Sequence, residues 1–564
     1  VSDLGRLAEP LAGAVVGALV GAVAQFMLAK PLGWGFRAFN RAFAAATGGY
    51  LRAVRLLFKV VPLVLLAYAG LGYLTVEAVR TTPAGFIPNQ DKGYLLVNVQ
   101  LPDSASLSRT NEVVKAVDKL ARDLLGVSRT IAVAGQSLLV GANASNFGTV
   151  YVLLDTFERR HGRPAAAIQA ELQAACDTGL PAAVVQVFGP APVEGLGATG
   201  GFKLMIEDRG DPDPKLLQDV ADDVVTAGRQ GGDLAGVYTG YRADTPWLEL
   251  RLDREQAEAT GVAVDTVIRD LQVLFGSLYV NDFNRFGRTW QVNVQADPRF
   301  RDDATDPRKI TVRTRAGGMV QLSSFTSVRD TTGPVMITRF NLYPSAAVTA
   351  DPSAGVSSGQ ALASLRAAAD AHLVGDMKAE WTELARLQLE SGDTALRAFG
   401  LSVVLVFLVL AAQYESWTLP LAVILVVPMC LLSAVAGVRL ANQDVNIFTQ
   451  VGFVVLIGLA CKNAILIVEF ARARREAGAS RRDAVLEACK LRLRPIVMTS
   501  VAFILGVVPL LTAEGAGAEM RRLLGTAVFA GMIGVTAFGV FLTPVFFLAI
   551  QWATDKVRGA ADGG

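Results

Sequence analysis

Residues 447–471 read IFTQVGFVVLIGLACKNAILIVEFA. A helix needs about 20 mostly apolar residues to cross a bilayer. This stretch exceeds that and holds only two charged residues, Lys462 and Glu469. Five more stretches meet or approach the same length, at 60–76, 396–412, 419–438, 495–511 and 524–551, and the last is long enough to tilt. A seventh, 11–29, is rich in Gly and Ala. It reads as a span rather than a signal peptide, because Asp3 and Glu9 outnumber Arg6 ahead of it.

Composition agrees with a chain that is only partly embedded. The 564 residues are 52% hydrophobic and 18% charged, with mean hydropathy +0.39. That is too apolar for a soluble protein of this size and too charged for a purely membrane one. A net charge of +2 gives no basic field for nucleic acid. Cys176, Cys430, Cys461 and Cys489 form no readable disulfide framework, and His161 and His372 alone do not build a zinc site.

Positive charge sets the orientation. Lys30, Arg37, Arg41, Arg52, Arg55 and Lys59 follow the first candidate span. Arg472, Arg474, Arg475, Arg481, Arg482, Lys490, Arg492 and Arg494 lie between 471 and 495. Both groups are expected in the cytoplasm, with Lys556 and Arg558 of the tail, and residues 76–396 then face outward. The linker 35–57 interleaves Phe36, Phe39 and Phe43 with basic residues. It reads either as an amphipathic helix on the membrane surface or as a solvated connector.

The outward segment alternates strands and helices. A strand at 94–101, a helix carrying Val113, Val117, Leu120 and Leu124, strands at 130–134 and 149–155, a helix carrying Ile168, Leu172 and Ala175, and a strand at 184–188 follow in order. That is βαββαβ, the ferredoxin-like motif. A second such unit starts with a strand at 202–207, a helix at 216–226 and a strand at 237–241. It is interrupted by an insertion over about 243–334 and resumes with a strand at 346–350 and a helix at 359–372. The fold class is therefore an α-helical membrane bundle plus an α+β domain, with ferredoxin-like subdomains and an inserted subdomain. The Gly-rich run 194–201 lacks the Gly-Lys-Ser/Thr ending of a phosphate loop and reads as a connector. No nucleotide-binding motif is evident, so energy is expected from an ion gradient or a partner, with no cofactor. No nucleophile–base–acid set points to an enzyme.

Lys462 carries the most information. A lysine at mid-span costs about 2.5–3.5 kcal/mol on insertion scales and is seldom placed there without a partner. A lysine that exchanges its proton with nearby carboxylates suits a proton relay; the alternative is a lysine that only fixes helix packing. Asn463 lies at the same level, Arg492 and Arg494 precede the span at 495, and Thr499 lies one turn inside it. Arg494 reads as a positive-inside anchor. None of the six strong spans has a central Asp or Glu, and Glu415 and Glu469 sit at span ends. The acidic partner is therefore expected from another polypeptide or another part of a longer one.

Five segments carry a family resemblance: Phe86-Ile-Pro-Asn-Gln-Asp-Lys-Gly, Leu278-Tyr-Val-Asn-Asp-Phe, Tyr414-Glu-Ser-Trp, Lys462-Asn-Ala-Ile-Leu-Ile-Val-Glu-Phe, and Leu491-Arg-Leu-Arg-Pro-Ile-Val-Met-Thr-Ser. In this order the chain resembles a resistance-nodulation-division (RND) transporter of the hydrophobe/amphiphile drug-efflux branch. The heavy-metal branch fits less well, since Leu95, Leu96, Val97 and Asn98 replace its methionine-bearing segment. The resemblance implies the second half of a two-half protein. Residues 1–30 would end the first half's last span, 31–59 form the cytoplasmic linker, and 60–79 a transmembrane helix. Porter subdomains would cover 80–190 and the split pair 191–242 and 335–392. The docking insertion would be 243–334, the remaining spans 393–551, and the cytoplasmic tail 552–564.

The resemblance further implies an inner-membrane drug/proton antiporter with a large periplasmic domain. It would be a homotrimer in lipid, joined to a periplasmic adaptor and an outer-membrane channel, exporting amphiphilic small molecules. Lys462, Asn463, Arg492 and Thr499 would form its proton relay, and the two aspartates they serve would belong to the first half. The switch loop would be 135–147, where Gln136, Ser137, Leu138, Leu139 and Val140 replace the usual Phe-Gly-Phe character. The substrate pocket would include Ile131, Val133, Leu138, Leu139, Phe147 and Tyr151 in its deep part, and Asn98, Gln100, Lys203 and Met205 in its outer part. Two other readings remain: an orphan half without transport activity, expected if the chain is a truncated product, and a relative that exports lipids, metal ions or proteins.

Overall fold

A computed structural model describes residue 34 and residues 37–561, apart from 161, 212, 304 and 393. The candidate span at 11–29, Lys30 and Phe36 lie outside the described residues. The chain forms two compact units, one built from the residues up to Gln90, Gly355–Gln360 and the residues from Gln388, the other from Asp91–Ala354 and Ala361–Leu387.

Helix α1 covers 37–57, and α2 covers Val61–Thr81. α1 is largely exposed over 37–49 and packs at its C-terminal end. Tyr50, Val54 and Phe58 are buried in the core of the first unit, and the Tyr50 hydroxyl donates to the Val540 carbonyl at 2.9 Å.

The second unit begins with β1 (Tyr94–Gln100), α3 (Leu107–Arg122), β2 (Val127–Ser137), β3 (Ala142–Leu154), α4 (Ala165–Gly179) and β4 (Val184–Phe188). The sheet order is β2-β3-β1-β4, antiparallel throughout, as the split βαβ topology requires. Alternation along β1 sends Leu95, Val97 and Val99 to the core beside Val117, Ile168 and Leu172, leaving Asn98 and Gln100 on the opposite face.

β5 (Phe202–Glu207), α5 (Pro214–Gln230) and β6 (Leu234–Thr239) open a second sheet. Gly201 holds φ +86° just before β5, and a Cβ there would lie 2.5 Å from the Ala350 carbonyl oxygen; the Gly-rich run ends in a turn that needs glycine. The insertion follows: β7 (Thr245–Leu252), α6 (Arg254–Ala259), α7 (Val264–Leu271), β8 (Leu278–Arg285), β9 (Arg288–Val294), α8 (Asp306–Lys309), β10 (Thr311–Arg313), β11 (Met319–Gln321) and β12 (Thr326–Gly333). β12 pairs with β7, so the insertion leaves and returns on one antiparallel ribbon. Its own small core holds Val262, Val267, Val312, Leu322 and Phe325. β13 (Arg339–Phe340), β14 (Tyr343–Pro352), α9 (Ser358–His372), β15 (Lys378–Thr382) and α10 (Glu383–Ser391) complete the sequence. The strands order as β6-β14-β5-β15, the topology of the first sheet. β15 escaped the sequence reading because five residues with a charge at each of two positions carry no strong alternation.

The first unit continues with α11 (Thr394–Tyr414), α12 (Leu419–Ile424), α13 (Val427–Leu440), α14 (Ile447–Glu476), α15 (Arg481–Leu511) and α16 (Ala518–Ala561). Among the described residues, six helical segments are long and apolar enough to cross a membrane. The expected single helix at 419–438 is broken instead. Pro428 sits in the first turn of α13 and has no N–H to give the preceding turn. α2 supplies donors at the break: Tyr68 Oη reaches the Leu425 carbonyl at 2.8 Å and Thr75 Oγ1 the Pro428 carbonyl at 3.3 Å. In hydrocarbon a break persists when neighbouring side chains satisfy its carbonyls. A second correction concerns Pro495, which does not start its helix. α15 begins fourteen residues earlier at Arg481 and runs through both Pro495 and Pro509.

Small residues let α13, α14 and α16 pack closely. A Cβ on Gly437 of α13 would sit 2.2 Å from Ala530 Cβ of α16, and one on Gly531 would sit 2.3 Å from Leu456 Cδ1 of α14. Gly437→Val is expected to overpack this seam by about 1–3 kcal/mol. A lowered thermal melting temperature of the detergent-solubilised protein checks it; an unshifted melt would mean the seam is looser than these distances.

Candidate functional site

Two sets of side chains are candidates for a functional site, one in each unit. In the first, α14 and α15 form an antiparallel hairpin around Gly478 (φ +91°). The Asn463 amide donates to Ser500 Oγ at 3.1 Å, with both side chains buried. Ser500 was not picked out from sequence, because equal counting from the turn sets Leu493, not Ser500, opposite Asn463.

Lys462 emerges on the other side of α14. It is exposed, on a face it shares with Val451, Val454, Val455 and Glu469. It makes no hydrogen bond or ion pair with any described residue. Thr499 Oγ1 donates to the Ile496 carbonyl of its own helix at 3.1 Å. The Arg492 guanidinium lies 4.9 Å from the Phe470 ring centroid, while its Nε is buried without a partner. The chain thus joins Asn463 to α15 but does not bring Lys462, Arg492 and Thr499 into one bonded cluster. Arg494 is more than a membrane anchor: it donates to Asn40 Oδ1 at 3.1 Å and lies over Phe39 and Phe43 of α1.

In the second unit, a cavity of about 160 Å³ opens between the β2–β3 hairpin and the second sheet. Of the residues read as pocket, Leu139, Phe147, Lys203 and Met205 line it. Lys203 is not a free charge there, because its Nζ lies 2.6 Å from Glu383 Oε1. Ile131 and Tyr151 face each other across β2 and β3, as do Val133 and Thr149. Ile131 is exposed, and Val133 and Tyr151 are half-buried. Leu138 sits in the hairpin turn, where its N–H donates to Thr149 Oγ1 at 3.2 Å.

Asn98 and Gln100 require a correction. Both are 3% exposed and do not line the cavity. Asn98 Nδ2 donates to Tyr238 Oη at 3.3 Å, and the Tyr238 hydroxyl donates to Gln100 Oε1. Ser137 Oγ donates to Asn98 Oδ1 at 2.7 Å and accepts from the Val140 N–H at 3.2 Å. A buried polar group needs such partners, and these residues supply them for one another except at Gln100 Nε2, which is buried with none. Burial raises the Tyr238 hydroxyl well above the ordinary tyrosine range, so it is a neutral donor. Sequence reasoning missed Tyr238, since nothing in the run Val237-Tyr-Thr-Gly separates a latch from a strand residue.

Comparison with known proteins gives the chain its relatives. The family model described as the AcrB/AcrD/AcrF family matches residues 11–551. The multidrug/solvent efflux pump membrane transporter MepB of Pseudomonas putida is 35% identical over 520 residues, 92% of this chain and 49% of MepB. Multidrug resistance protein MdtF of Escherichia coli K12 is 33% identical over 536 residues, covering 93% of this chain and 51% of MdtF. Multidrug export protein AcrF of the same strain is 34% identical over 525 residues, 92% of this chain and 50% of AcrF. The chain spans about half the length of the curated relatives it matches.

Proposed function

The chain belongs to the AcrB/AcrD/AcrF family of RND transporters, and from that premise we propose that it is the C-terminal half of a proton-driven exporter of hydrophobic and amphiphilic compounds. It acts in the inner membrane with its α+β unit in the periplasm, as a secondary transporter rather than an enzyme. The names of its relatives, which speak of multidrug and solvent efflux, support the cargo class.

The observation that carries the energy coupling is Lys462: an exposed lysine in the middle of an apolar span that makes no ion pair with any described residue, the carboxylate on its face, Glu469, lying two turns away. A lysine facing lipid is costly, so this face belongs against a partner that supplies carboxylates. Those carboxylates come from the first half. Protonating them releases Lys462, and the helices rearrange; Asn463, Arg492 and Thr499 set the polarity beside it. The motion alternately opens and closes the periplasmic pocket lined by Leu139, Phe147, Lys203 and Met205. The working assembly is a homotrimer joined to an adaptor and an outer-membrane channel.

The test is complementation. Co-expressed with a first-half polypeptide of the family in a pump-deficient host, the chain is expected to lower accumulation of a fluorescent amphiphilic dye, and a protonophore is expected to restore it. Dye accumulation equal to that of the empty host, with both polypeptides present in the membrane, would favour an orphan half instead.

A further inference from the structure

In the first unit, α1 and α16 meet over an open groove of about 440 Å³. Ala53, Leu56 and Leu57 form one wall, and Ala537, Phe538 and Phe541 the other. Every residue that lines it is apolar, so it offers a polar solute no side-chain hydrogen bond. The two walls are tied together beside it. Pro544 lies inside α16 and has no N–H to give the Val540 carbonyl one turn earlier. The Tyr50 hydroxyl of α1 supplies that bond at 2.9 Å, and its ring meets the Phe541 ring edge-on at 5.5 Å between centroids. A carbonyl freed in hydrocarbon needs such a donor, and this one fixes α1 on α16.

The groove has a cationic border. Helical spacing sets Ala53 and Leu57 beside the buried stripe of Tyr50 and Val54, and Arg52 and Arg55 beyond Leu56 on the side away from that stripe. Lys59 follows in the turn after α1, and all three cations are exposed. Arg52 gives its Nε to the Gly48 carbonyl at 3.4 Å. Arg55 and Lys59 make no hydrogen bond or ion pair with any described residue. Residues 34–60 contain no Asp or Glu, and Asp555 near the end of α16 is already shared by Arg475 and Arg481. An anion laid along this border meets cations that no described carboxylate has claimed. In a bilayer, the molecule that joins an apolar chain to an anion is a phospholipid, and guanidinium forks match phosphate oxygens.

We propose that this groove is a site for an anionic phospholipid. One acyl chain lies between α1 and α16, Arg52 and Arg55 hold the phosphodiester, and Lys59 adds charge beside them. The proposal goes beyond the exporter reading and rests only on the first unit lying in a bilayer.

Fluorescence quenching in vesicles tests it on the full chain. The four cysteines are buried, so a bimane label on Ile533→Cys, exposed one turn from Ala537, reports the groove. The same label on Val404→Cys of α11, also exposed, reports bulk lipid. The protein is reconstituted in equal parts of phosphatidylglycerol and phosphatidylcholine, with one or the other brominated on its chains. Brominated phosphatidylglycerol is expected to fill the groove about fivefold more than brominated phosphatidylcholine, the effect of roughly one cation–headgroup contact. Both lipids are expected to quench the α11 label alike. Arg52→Gln with Arg55→Gln removes the border charge, and Ala537→Phe, at an exposed position, fills the groove. A preference for phosphatidylglycerol at 533 that both variants abolish supports the site. Equal quenching by the two lipids in the wild-type background overturns it. A preference lost only with the arginines is diffuse attraction to a charged surface, and one lost only on filling the groove is a chain site blind to charge; either result overturns the proposal. Weak quenching by both lipids at 533, relative to 404, means that a protein segment covers the groove and overturns it equally. No step requires transport, so the lipid site and the exporter reading fail separately.

Discussion

Lys462→Met in a complete transporter is expected to raise dye accumulation to that of the pump-free host while leaving assembly intact. The substitution removes the ammonium and keeps a flexible apolar side chain of similar length, so the helix face still packs. Carboxylates across from it lose the cation whose attraction depends on their protonation, and the proton gradient then has nothing to act on. Lys462→Arg is expected to assemble and yet fail to couple, because a guanidinium does not give up its proton. Measuring dye efflux from energised cells, with membrane abundance checked by blotting, decides the matter. Wild-type efflux by the methionine variant would remove the relay from the mechanism and leave Lys462 as a packing residue.

Arg160→Ala is expected to be the most destabilising single change in the second unit. Arg160 and Asp91 form a two-pronged ion pair at 2.6 and 3.1 Å, with side chains only 1% and 9% exposed. Asp91 also accepts the Ala165 and Gly93 N–H groups, tying the entry to β1 to the start of α4, and the guanidinium lies 4.2 Å from the Phe157 centroid. Removing one partner leaves a buried carboxylate without its charge, at about 3–5 kcal/mol. Asp91→Leu combined with Arg160→Met is expected to cost much less, because neither charge is then stranded. Cys176 offers the readout: it is 1% exposed in the adjoining core, and burial, helped by Asp177, pushes its thiol up to about 11. It should resist maleimide in the wild type and in the double variant and react readily in Arg160→Ala. Equal labelling of wild type and Arg160→Ala would show that the pair carries little stability.

The pairing did not stand out in the sequence, although Asp91 lies in the segment 86–93 that carries the family resemblance, and the reason is general. Asp91 and Arg160 are far apart in the chain, and each looks like an ordinary loop charge until β1 and α4 bring them together. What local pattern determines was readable: the apolar runs that became α2 and α14, the alternation of β1, and the strand at 202–207, which is β5 residue for residue. What tertiary contact determines was not. The helix break ahead of Pro428 depends on hydroxyls from α2 and β15 on its pairing with β5, and a proline in the sequence does not by itself say that α15 runs on through Pro495. The same division separates the sites. Lys462 is visible because a charge within an apolar run is improbable anywhere, whereas the roles of Asn98 and Gln100 changed once Tyr238 arrived from another strand.

The glycine-lined seams of the first unit divide its helices unequally. Within their apolar windows α14 and α16 are each 56% buried, against 6% for α2, 11% for α11 and 22% for α15. Three interlocked helices, α13, α14 and α16, form the tight centre of this unit, because sliding one past another would drive side chains into spaces that hold only a hydrogen atom. The apolar faces that α2, α11 and α15 leave open are surface for lipid or for a partner chain. A spin label on α11 is expected to sense lipid or a partner, and one on α13 only its own neighbours.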